Sequence, residues 1–153
     1  MDDPLHDVRA RLDATLDEHR SALHDCLDGL DEEEARRSLV PSRTTLLGLV
    51  KHVTYVEEFY FDHCVTGRAL GPSATPDRSF ILTRNDTIAS IRAAHRAACE
   101  RSRRIAAGLA FDEVVTGRGE QPVWSLYLRT ERDLAQHCGH ADILREQILA
   151  ARW

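Results

Sequence analysis

The chain has 153 residues, 42% of them hydrophobic and 29% charged, with a formal net charge of −5. That length suits one domain with a real core. The acidic balance excludes a dedicated nucleic-acid binder, since no basic stripe is interleaved with aromatics. No run of about 18 apolar residues offers a membrane span. The start, Met1-Asp-Asp-Pro-Leu5, lacks the basic and then apolar pattern of a secretory signal. Cys26, Cys64, Cys99 and Cys138 form no CxxC pair and read as free thiols in a reducing cytoplasm. A catalytic cysteine has no support from the pattern, because each lies among helical apolar positions where Cys serves as a small core residue.

Residues 5–28 repeat apolar side chains at helical spacing, through Leu5, Val8, Leu12, Leu16, Leu23 and Leu27, and Gly29 ends that run. His6, His19 and His24 on it read as surface or edge histidines. Residues 31–37 are acidic first and basic last, which fits the dipole of a short connecting helix. A second long helix is expected from Pro41-Ser42, with Ser42 as N-cap, to about Thr66-Gly67. Gly48 interrupts its apolar run and is expected to allow a close helix approach. His52 lies in the same run, and on its own it reads as a satisfied core histidine.

Residues 67–84, with Gly67, Gly71, Pro72 and Pro76, form a long connection suited to lie over the mouth of a site. A third helix should start at Asn85 or Asp86 and reach about Ala110, and its Arg101, Arg103 and Arg104 read as a solvated face. A second loop over residues 111–121 leads to the last helix, which begins near Pro122. No strand pattern runs longer than residues 111–115. Four long helices joined by loops point to an all-α four-helix bundle spanning residues 1–153, a fold in which metal sites are built from facing helices.

The last helix carries the densest chemistry. Asp133 and His137 are four residues apart, one turn along one face, and His140 follows three later. A carboxylate and an imidazole at that spacing can occupy two positions on one divalent metal, with a third ligand from elsewhere. Asp133 and His140 span about 10 Å of helix. His140 is therefore read as a group beside the metal, tuning it or facing substrate.

Two stretches resemble a known family. Leu46-Leu-Gly-Leu-Val-Lys-His-Val-Thr-Tyr-Val-Glu-Glu-Phe-Tyr-Phe61 is similar to the second-helix signature of DinB-like proteins, and His137-Cys-Gly-His-Ala-Asp-Ile-Leu-Arg-Glu146 is similar to their last-helix signature. The resemblance implies a DinB-like bundle with a divalent metal, zinc or nickel and in some cases iron, held by His52, Asp133 and His137. It further implies a thiol-dependent S-transferase or isomerase acting on a small-molecule electrophile, with a low-molecular-weight thiol co-substrate such as mycothiol or bacillithiol, a catalytic role for His140, and a homodimer. Asp133 departs from the Glu or His usual at its position and is one methylene shorter than Glu. Trp124 and Arg129 depart as well, where relatives carry Arg and His, and both positions are expected to bear on the substrate pocket. The competing reading is a non-catalytic binding or stress-response protein with a degenerate metal site, in which Arg129 pairs with Asp133.

Overall fold

A computed structural model describes residues 4–71 and 74–153. Met1 to Asp3, and Pro72 in the first long connection, lie outside the described residues. In chain order the elements are α1 (Pro4–Asp25), the one-turn α2 (Glu32–Ala35) and α3 (Leu46–Glu57). α3 continues through a π-helical turn (Glu58–His63) into α4 (Cys64–Thr66). There follow a 3-10 turn (Arg78–Phe80), α5 (Ile88–Ala107), strands β1 (Val114–Val115) and β2 (Gln121–Pro122), and α6 (Val123–Ala150). The protein is mostly helical. Its two strands pair antiparallel, Val114 opposite Pro122 and Val115 opposite Gln121, within the connection expected to be plain loop.

The caps differ from the sequence expectation by a few residues. Thr45, not Ser42, caps α3, and Thr87, not Asn85 or Asp86, caps α5. Both threonines have the extended backbone that a cap requires, and each accepts from the amide three residues on. Asp86 is committed elsewhere, because its carboxylate accepts from Lys51 Nζ at 2.8 Å and from the Thr83 amide at 2.7 Å. α5 ends at Ala107, short of Ala110.

α1 packs on α6, α6 on α3, α3 on α5 and α5 on α1. Their apolar stripes meet in a core that includes Leu16, Leu23, Leu47, Val53, Leu126 and Leu134. Gly48 does provide a close approach, but to a connection rather than a helix. A Cβ there would lie 2.6 Å from the Phe80 carbonyl oxygen. The missing side chain is what lets the Arg78–Phe80 turn lie against α3. Lys51 fastens the same connection by donating to the Ile81 carbonyl at 2.9 Å.

One polar cluster interrupts the core. Arg20 donates to both carboxylate oxygens of Glu57, at 2.6 and 2.9 Å, and also to Asp17. Beside it His95 is 1% exposed, its Nε2 is 3.5 Å from Cys99 Sγ, and its Nδ1 has no hydrogen-bond partner. Burial pulls the His95 pKa down to about 4; Glu57 opposes that, and His24, Arg20 and Arg103 add to it.

The folded state therefore favours neutral His95, while the unfolded chain takes up a proton near the ordinary histidine value of 6.5. The stability this contributes is complete above about pH 6.5 and is lost as pH falls toward about 4. Urea midpoints of metal-free protein should fall across that window. His95→Gln should flatten the fall, and an unchanged slope in that variant would contradict the assignment.

Candidate active site

α3 and α6 bring His52 and His137 together. Their rings lie edge to face, with centroids 4.7 Å apart and planes 77° apart. Both side chains are buried among the helices. Phe80 stacks flat on the His52 ring at 3.9 Å. The Ser79 hydroxyl sits 2.6 Å from His52 Nδ1. On the other side, His140 follows His137 along α6, with Nδ1 to Nδ1 at 3.3 Å.

Burial sets the protonation of the pair. The His52 pKa is pushed down to about 4 by desolvation first and His137 second, against the Pro76 carbonyl. His137 is also lowered, by desolvation and then by His140, with Asp133 opposing. Both rings are therefore neutral near pH 7, the form in which imidazole binds a metal.

Asp133 stands on the same helix one turn before His137, but its contact is with the π-helical turn. The Tyr60 side chain lies close enough to the Asp133 carboxylate to feel it. Burial and this carboxylate together raise the Tyr60 pKa to about 12. The ion pair between Arg129 and Asp133 considered from the sequence does not occur among the described residues. Arg129 is exposed, and no such pair is formed. Among the described residues, no three His, Cys, Asp or Glu side chains converge as a metal-ligating group. The structure thus joins His52, His137 and His140 in one chain of ring contacts and places Asp133 at its flank.

Two cavities flank the histidines. The larger, about 790 Å³, opens between α3, α5 and the 74–86 connection, lined by Lys51, Tyr55, Arg78, Ser79 and Ile91 among others. Neither His52 nor His137 lines it. Ser79 is the residue it shares with the imidazole pair. The smaller, about 290 Å³, lies between α6 and the segment before α3, with His140, Val40, Ile143 and Leu144 in its wall. Trp124 and Arg129, expected to bear on the substrate pocket, are exposed on α6 and line neither cavity.

The four cysteines are free. Burial raises the Cys26 and Cys99 pKa to about 12 and the Cys138 pKa to about 11, and raises that of Cys64 as well, so none is poised as a thiolate. Sequence reading missed Ser79 and Phe80 as neighbours of the site and left Tyr60 open between pocket and core. Ser79 and Phe80 lie in a connection with no periodicity to read. Tyr60 faces Asp133 from within the π-helical turn.

A helical protein is thereby defined with a buried, neutral imidazole pair whose neighbours Ser79 and His140 each line a cavity. The model of the mycothiol-S-transferase family matches residues 11–150, and the chain belongs to that family. Neither the curated proteins nor the solved structures compared with it gave a match.

Proposed function

We propose that this protein joins a low-molecular-weight thiol such as mycothiol, through its sulfur, to a small electrophile, with a divalent metal held by His52, His137 and Asp133. The observation that carries this reading is the His52–His137 contact, made between distant helices by two neutral rings in a chain of the mycothiol-S-transferase family. The two imidazoles suit zinc, nickel or iron. Asp133 would complete the set from one turn before His137 on the same helix. A bound divalent metal lowers the pKa of a thiol on it, so that thiolate is available near neutral pH.

The remaining work falls to the chain. The large cavity holds the thiol co-substrate beside Ser79, and the smaller, more apolar one holds the electrophile beside His140. The thiol proton leaves to solvent through the open large cavity, and His140, in the wall of the smaller one and at hydrogen-bonding distance from His137, donates a proton to the leaving group or the adduct. The sulfur lone pair then forms the new S–C bond, and the electrophile releases its leaving group or, in an addition, takes a proton. With this reading go a single DinB-like four-helix domain, a cytoplasmic location and a homodimer.

The test is S-conjugate formation, followed by mass spectrometry, from mycothiol and a panel of electrophiles with zinc-loaded protein. Conjugates above the protein-free rate support the reading, and none across the panel would refute it. Asp133→Glu adds one methylene and should preserve or tighten zinc binding, measured by titration against a chelating dye. A loss of zinc in that variant would remove Asp133 from the ligand set.

A second reading is favoured by the Tyr60–Asp133 contact and the lack of a three-ligand cluster among the described residues. It is a non-catalytic binding or stress-response protein with a degenerate site. Metal content separates the two.

A further inference from the structure

The Ser79 hydroxyl has one proton and two neighbours. Its oxygen is 2.5 Å from the Pro76 carbonyl and 2.6 Å from His52 Nδ1. A carbonyl only accepts, so at that distance the hydroxyl proton must point to Pro76; otherwise two oxygen lone-pair regions would face each other. The hydroxyl oxygen can then only accept from the ring. The proton of neutral His52 is consequently on Nδ1, and the Pro76 carbonyl draws on the same ring edge.

Left free in water, a neutral histidine side chain prefers its proton on Nε2. The protein imposes the opposite choice and holds it from three directions. Ser79 fixes one ring edge, Phe80 covers one face at an interplanar angle of 11°, and His137 meets the ring edge to face. The turn carrying Ser79 and Phe80 is itself fixed, by the Ser79 amide donating to the Thr75 carbonyl at 2.9 Å and by its approach to Gly48.

We propose that Ser79 is a positioning residue for His52, a hydroxyl clamp that selects the Nδ1–H tautomer and leaves the Nε2 lone pair free to bind the metal. This rests on the function proposed above only for its consequence, because the tautomer can be measured without metal. Ser79 also lines the large cavity, so the clamp stands where the co-substrate meets the imidazole pair.

The experiment is long-range ¹H–¹⁵N correlation of the histidine rings in full-length, metal-free protein near pH 7.5. His52 is assigned by the signals lost in His52→Gln, and zinc titrations run in parallel. Wild type should show the Nδ1–H pattern at His52. Ser79→Ala should shift it toward Nε2–H and weaken zinc binding by about 10- to 100-fold, the usual effect of removing a partner that orients a ligand. Ser79→Thr keeps the hydroxyl and should restore both. An Nε2–H pattern in wild type would overturn the proposal even if Ser79→Ala fails to fold, and so would an unshifted tautomer with undiminished affinity in Ser79→Ala. If wild type shows Nδ1–H but binds no zinc, the metal reading fails and the tautomer assignment stands. If zinc binds and His52 is Nε2–H, the reverse holds.

Discussion

His137→Ala and His52→Ala are each expected to empty the protein of divalent metal. The argument starts from the pairing itself. Each ring is the other's neighbour at 4.7 Å, and each is kept neutral by burial. Removing either leaves one imidazole and one carboxylate, too few donors for a structural or catalytic ion. The effect should be visible in stability as well as content. A metal bound only by the folded state adds about 4 kcal/mol at a thousandfold excess over Kd. For a chain of this size that corresponds to roughly 10 °C in Tm. Adding zinc should raise the Tm of wild type and leave both variants unmoved. A zinc-dependent rise in either alanine variant equal to that of wild type would remove that histidine from the site.

The other large effect lies in the core. Glu57→Ala should destabilise the protein by about 3–5 kcal/mol, because it strands Arg20 as a buried cation. Glu57 is fully buried and Arg20 is 5% exposed, joined by two hydrogen bonds. Burial works to lower the Arg20 pKa and the Glu57 carboxylate more than offsets it, so the guanidinium stays charged in every accessible condition. Asp17 reaches only Nη1 of Arg20 and is half-exposed, a weak substitute. Urea denaturation gives the number directly. Replacing both partners with apolar residues of similar volume should recover most of the loss, since the cost comes from the unpaired charge. A loss below about 1 kcal/mol in Glu57→Ala would show that water reaches Arg20.

Much of the scaffold could be read from residue order. The apolar period of residues 5–28, the run from Leu46, and the spacing of Asp133, His137 and His140 each mark a helix that the structure contains. Gly67 caps a helix end at positive φ, whereas Gly29, also at positive φ, lies in the turn after α1, which ends at Asp25 rather than at residue 28. The helix starts were less legible. Ser, Asn, Asp and Thr can all cap, and which one does depends on tertiary bonds such as Lys51 to Asp86. The site was legible only in its helical half. His52 and His137 sit at positions that periodicity and motif resemblance both single out. Ser79 and Phe80 come from an irregular connection whose course is fixed by Gly48 and Lys51, and no local pattern encodes that. The π-helical turn likewise hid the Tyr60–Asp133 contact, because one wide turn shifts which residues face α6.

The most direct test is elemental analysis by mass spectrometry on untagged protein purified without chelator. A divalent metal near one equivalent per chain, lost on exchange of either buried imidazole, is the predicted result. Native protein free of stoichiometric zinc, nickel or iron, and unable to take up zinc on titration, would contradict the account.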